Sequence, residues 1–212
     1  MERTVTIRGT GHFKGAPDAV CVSFSIVSRN SEYAEAMKLS ASRQKKLIKA
    51  LGQANFKAKD LKTTDFSVRT ETKELDRYGV KKYVFDCYAI TQKFKLSFDI
   101  DHKRLGVVLK AISESTADPN LSISFYIKDE NIVRNALFAS AAENARKSAE
   151  VLCKSSGAKL GDLITISYDW SELDICSGGR YSPDAFACSE APDIHPDDVH
   201  VSESVRFVWQ IA

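Results

Sequence analysis

Hydrophobic residues along this chain switch between a two-residue period and a helical one, and the switches predict its elements. Alternation over residues 4–9 and again over 19–27, with Val20, Val22, Phe24 and Ile26 on one face, predicts two opening strands. Asn30 and Ser31 can cap a following helix, Glu32 and Glu35 suit its positive end, and Met37, Ala41, Ile48 and Leu51 recur at helical spacing. A strand is expected from Leu61 to about Thr72. The polar run ELDRYG, ending at Gly79, then reads as a hairpin connection into a long strand through Phe98. In that strand Tyr88, Ile90, Phe94, Leu96 and Phe98 share a face.

Asp101 is placed to cap a second helix bearing Leu105, Val108, Leu109 and Ile112, which should end before Asp118 and Pro119. Leu121, Ile123, Phe125 and Ile127 alternate as a further strand, and Asp129 opens the longest helical stretch, closed by Gly157 in the left-handed conformation. That stretch carries Ala at 136, 139, 141, 142, 145 and 149, so it can approach a neighbouring element closely. Ile164, Ile166, Tyr168 and Trp170 predict another strand, and Val205, Phe207, Trp209 and Ile211 the last one. Between them, residues 171–200 are rich in Ser, Gly, Pro and Asp and lack periodicity, which reads as a long mobile acidic loop. The order ββαββαβαββ implies an α+β fold: a largely antiparallel sheet with three helices packed on it, forming one domain over 1–212. Strand, capped helix and strand recur around residues 20–70 and 88–127, a repeat of topology rather than of sequence.

Composition narrows the function classes. Thirty Lys and Arg against 28 Asp and Glu leave a formal charge of +2, so the balance does not mark a dedicated nucleic-acid binder. The distribution is uneven: residues 1–62 hold twelve basic against five acidic residues, whereas 169–204 hold nine acids and Arg180. Lys45, Lys46 and Lys49 on the first helix, and Asp193, Asp197 and Asp198 in the acidic loop, are therefore candidates for an interface between copies. The five cysteines, at 21, 87, 153, 176 and 188, show no CxxC pair, which fits a reducing compartment better than a disulfide framework. The opening MERTVTIRG has no apolar segment of the kind that directs export, and no later run approaches membrane-spanning length. The expectation is a cytoplasmic chain with no membrane span, or a periplasmic or envelope one if a leader has been removed.

Candidate chemistry is sparse. Gly9-x-Gly11 lacks the third glycine and the following helix of a dinucleotide site, and fits a bulge or a close backbone approach at the sheet edge. Cys176, Cys188, His195 and His200 offer two thiols and two imidazoles, a ligand type zinc accepts, but without the short paired spacing of a zinc motif. Cys21, Cys87 and Cys153 read as small packing residues; Cys176 and Cys188 are the thiols expected at the surface. Arg43, Lys45, Lys46, Lys49, Lys57, Lys59 and Lys62 form a basic stretch able to meet phosphates. No RNA-recognition segment accompanies it, so a solvated helix face and turn is the simpler reading, and no nucleic-acid partner is expected.

Several segments resemble the SIMPL-domain family, which includes bacterial oxidative-stress-defence proteins and periplasmic immunogenic proteins. In VTIRGTGHFKGAPDAV, Gly9, Gly11, Pro17, Asp18 and Ala19 match the family's opening G-x-G and P-D-A. In DLKTTDFSV, Asp60, Thr63 and Phe66 resemble its D-I-x-T-x-x-F segment, and the strand from Tyr83 to Phe98 follows the same pattern. Ala141, Ala145, Arg146, Ala149, Gly157, Leu160 and Gly161 fall on the pattern of the third helix and its exit, and VHVSESVRFVWQI on the closing strand. Asn55 and Phe56 stand where many members carry Gly-Ile. The resemblance implies a non-catalytic protein linked to stress tolerance or to signalling adaptors and able to self-associate, with no catalytic residues to carry over. The expected function is self-assembly or binding of a protein partner, with a homo-oligomer as the expected form and no cofactor; the alternative is a small-molecule-binding protein or cryptic enzyme with a pocket between helices and sheet.

Overall fold

The computed structural model of the protein describes residues 3–77, 80–113, 115, 120–169, 172–177 and 195–212. Its elements run β1 (Thr4–Gly15), β2 (Ala19–Asn30), α1 (Tyr33–Gln53), β3 (Lys62–Arg77), β4 (Val80–Asp99), α2 (His102–Ser113), β5 (Asn120–Tyr126), α3 (Glu130–Ser155), β6 (Leu160–Ser167) and β7 (Val199–Ile211), with one 3₁₀ turn at Ala58–Asp60. This is the α+β order that the periodicity predicts. The strands divide into two sheets rather than one, β1-β7-β6 and β3-β4-β2-β5. The reason is non-local: β1 pairs antiparallel with β7 from the other end of the chain, and β2 pairs antiparallel with β4. The chain accordingly forms two compact units, one holding β1, α3, β6 and β7 and the other β2 to Ser124.

In the first unit, α3 buries Val133, Leu137, Ala141, Ala145, Ala149 and Cys153, one residue every four along a single ridge. Asp129 caps this helix by accepting from the Asn131 N–H at 2.9 Å. Gly157, at φ +75°, ends it, with Ala158 N–H bonded back to the Cys153 carbonyl at 2.9 Å. Ala141, Ala145 and Ala149 pack on Ile7, Val205, Phe207 and Trp209 of the sheet. The approach is so close that glycine is required on the strand. A Cβ at Gly9 would overlap the Ala141 carbonyl oxygen and lie 2.6 Å from the Ala145 Cβ; one at Gly11 would overlap the Leu137 carbonyl oxygen. Gly9-x-Gly11 is thus a helix-docking motif, the close backbone approach its spacing suggested.

In the second unit, Val20, Val22, Phe24 and Ile26 of β2 and Ile90, Phe94 and Leu96 of β4 are fully buried with Leu47 of α1 and Val108 of α2. The buried stripe of α1 is Ala36, Ser40, Leu47, Ala50 and Leu51, one residue before the Met37, Ala41 and Ile48 that hydrophobicity alone selects. Small residues win there because a helix face turned to a sheet can use Ala and Ser where space is short. Asn30 does not cap the helix from Ncap but accepts from the Glu32 N–H at 2.9 Å just before it. The helix closes through Asn55 at φ 61°, a left-handed position that Asn tolerates better than most residues.

Several boundaries differ from expectation: β1 runs on to Gly15, and β5 ends at Tyr126, before Ile127. ELDRYG was expected as connection, yet β3 continues to Arg77, because cross-strand charges suit pairing: Lys73 meets Asp86 at 3.0 Å and Lys81 meets Glu74 at 2.6 Å. The strand expected over Ile164–Trp170 begins earlier, at Leu160, and ends at Ser167, before Tyr168, while Trp170 lies outside the described residues. Part of the expected loop is also pinned: Ser177 N–H bonds the Phe125 carbonyl at 2.8 Å, Ile127 N–H bonds that of Ile175 at 3.3 Å, and β7 already starts at Val199.

The glycine requirement is checked by unfolding in urea. Gly9→Ala and Gly11→Ala are each expected to lose about 3 kcal/mol through overpacking against backbone that cannot turn aside. Gly52→Ala on α1, where a Cβ meets nothing within 4 Å, is expected to gain up to about 1 kcal/mol from helix propensity.

Candidate functional site

The two edges of the first sheet are treated differently by the rest of the chain. At β1 two outward backbone groups find partners on α3: the His12 N–H donates to Ser140 Oγ at 3.2 Å, and Asn144 Nδ2 donates to the Thr10 carbonyl at 2.8 Å. Close docking of α3 through Gly9 and Gly11 brings these side chains within reach. On the opposite side, β6 pairs with β7 and with no further strand among the described residues. Leu163 and Ile166 stand beside Trp209 and Phe207 in the ladder; of β6 only Leu160 packs on the cluster that α3 forms with those neighbours. Leu163, Ile164 and Ile166 remain 46, 45 and 57% exposed. The strand carries one charge, Asp162, and neither lysine nor proline, the residues that commonly blunt an edge.

The residues singled out from sequence fall in several places. Lys45, Lys46 and Lys49 are exposed on α1. Asp198 pairs with Lys14 at 3.3 Å, Asp197 accepts from the Asp198 N–H at 2.8 Å, and Asp193 lies outside the described residues. Of the metal candidates, Cys176 bridges to Tyr126 and His200 stands opposite Lys14 in β7, both in the first unit. His195 groups with the second unit, its ring centroid 6.1 Å from that of His102, and Cys188 is outside the described residues. Among the described residues no three His, Cys, Asp or Glu side chains gather as metal ligands. Lys59 and Lys62, from the basic stretch, line an open cleft in the second unit together with Lys95 and Arg104, which sequence reading passed over. Only the β3–β4 register could have brought Lys95 to notice, by setting it opposite Lys62.

The thiols sort by burial. Cys87 and Cys153 are buried, Cys21 is half-buried and Cys176 is exposed. Burial pushes the Cys87 thiol up, as does its contact with Glu71 at 3.6 Å. Glu71 itself is held below the usual carboxylate range by hydrogen bonds from Arg29, at 2.7 Å from Nε and 3.0 Å from Nη2. A raised thiol gives its reactive thiolate only at higher pH, so burial and ionisation protect Cys87 together. Limited alkylation followed by peptide mass mapping is expected to label Cys176 ahead of Cys87 and Cys153, which should react fully only in denaturant.

Comparison with curated proteins finds no match. The family model described as SIMPL, protein of unknown function (DUF541), matches residues 5–209, a span that includes Gly9 and Gly11, α1, α2 and α3, and most of the closing strand. No helix among the described residues is long and apolar enough to cross a membrane. With nearly its whole length matched, the chain belongs to the SIMPL family.

Proposed function

We propose that this protein acts by self-association, with β6 of one copy pairing against β6 of a second. What supports this reading is the contrast between the edges: α3 partners two outward groups of β1, whereas β6 meets no second neighbouring strand among the described residues and keeps three exposed aliphatic side chains. A second copy suits the edge because the strand is almost uncharged. Antiparallel pairing about a two-fold axis between Ile164 and Thr165 would set Leu163 across from Ile166 and Asp162 across from Ser167, so the two acids do not face each other. The stress-tolerance role implied by the resemblance to oxidative-stress-defence proteins is read here as a property of the assembled form, with no reaction assigned to the chain.

Lys45, Lys46, Lys49 and the exposed Asp197 would add an ionic contact between copies, which salt would weaken. Strand pairing with aliphatic burial would persist in salt. Light scattering is therefore expected to return a multiple of 23.5 kDa at both low and high ionic strength, and Leu163→Lys with Ile166→Lys is expected to reduce it to the monomer with unchanged far-UV circular dichroism. A monomer mass for the unmodified chain at every concentration would overturn the reading; dissociation by salt alone would move the contact from β6 to the lysines of α1.

A further inference from the structure

The β3–β4 ladder of the second unit is built from complementary charges. Asp65 stands opposite Lys93 and meets it at 3.2 Å, Lys73 meets Asp86 at 3.0 Å, and Glu74 meets Lys81 at 2.6 Å. At the start of the ladder the rule is broken: Lys62 stands directly opposite Lys95. Like charges in that position destabilise a strand pair. Neither ammonium group forms an ion pair among the described residues.

The break falls on an open hollow of about 680 Å³ between the start of the β3–β4 ladder, the 3₁₀ turn and the start of α2. Lys59 and Arg104 line it with the two opposed lysines. The Arg104 guanidinium lies over the Phe56 ring, 4.2 Å from its centroid, and 5.3 Å from that of Phe98, so the planar fork is stacked rather than free to swing. Two carboxylates also line the hollow. That of Asp60 is already used, accepting from the Lys57 N–H at 2.8 Å, and Asp99 has a partner of its own. Four cations against two carboxylates leave the hollow positive.

We infer that this cleft binds a small phosphorylated molecule whose phosphate oxygens bridge Lys62 and Lys95 and engage the Arg104 fork. An anion of that type turns the repulsion between the lysines into attraction, and a stacked arginine offers two parallel donors to neighbouring phosphate oxygens. A diphosphate fits better than a single carboxylate, because it supplies oxygens to the lysine pair and to the arginine together. Phe56 and Phe98 are both largely buried, so the wall offers little surface for stacking a base, and recognition rests on the anion.

Inorganic pyrophosphate is the probe, titrated into the full chain by calorimetry and by thermal shift, with sulfate at matched ionic strength as the comparison. Saturable binding of pyrophosphate is expected, weakened about tenfold by Lys62→Gln and again by Lys95→Gln. Lys154→Gln, exposed at the end of α3 in the first unit, should leave it unchanged. Without ligand the Lys62→Gln chain is expected to melt at a higher temperature than the unmodified one in low salt, a change of opposite sign that also reports that the variant folds. Binding that survives both lysine substitutions, an equal response to sulfate, or no saturable response to pyrophosphate would overturn the proposal. So would binding of single-stranded oligonucleotide in its place, which would assign the basic surface to nucleic acid. Because β6 lies in the other unit, none of these outcomes depends on self-association.

Discussion

The first unit depends on one close contact, the seating of α3 on β1. The strand supplies glycine at 9 and 11 and the helix supplies alanine at 141 and 145, so backbone meets backbone where side chains would otherwise hold the two apart. The energetic gain comes from many short-range contacts rather than from any large side chain. A helix seated this closely also brings Ser140 and Asn144 to two outward groups of β1, the His12 N–H and the Thr10 carbonyl, which are then no longer available to another strand. The same helix reaches Leu160 of β6, while Leu163, Ile164 and Ile166 stay exposed.

The second unit is organised by a conventional apolar layer under α1 and α2 and by charge along its β3–β4 ladder. Ion pairs between exposed strands contribute little stability each, yet they favour one register over its neighbours, since a slipped strand would bring like charges together. Against that background the opposed Lys62 and Lys95 stand out as a local cost within an otherwise consistent pattern. Such costs tend to fall where a protein meets something else, and here the cost coincides with a hollow and a stacked arginine.

Much of the fold was legible in the chain. Period-two runs such as Val20–Ile26 and Leu121–Phe125 became strands with the expected buried faces, because alternation leaves a pleated strand no other way to hide its apolar residues. Asp101 and Asp129 opened helices and Gly157 ended one, since these are local matters of hydrogen bonding and φ. The extension of β3 through ELDR was missed because polar composition was read as a turn, while the charges concerned are satisfied by partners on β4. The candidate sites fared differently. The glycine pair was read for what it does, but the exposed β6 edge and the cleft could not be seen, since neither has a motif.

By itself, then, the sequence determined the number, type and order of the elements, the N-terminal caps of α2 and α3 and the alanine ridge of α3, all of which follow from periodicity and local backbone chemistry. Tertiary structure alone decided that β1 joins β7 and β2 joins β4, that the strands form two sheets, and that Lys62 faces Lys95. Partner choice between strands is a property of contacts distant along the chain. Period-two patterning specifies which face of a strand is buried but carries no record of which neighbour lies at its edge.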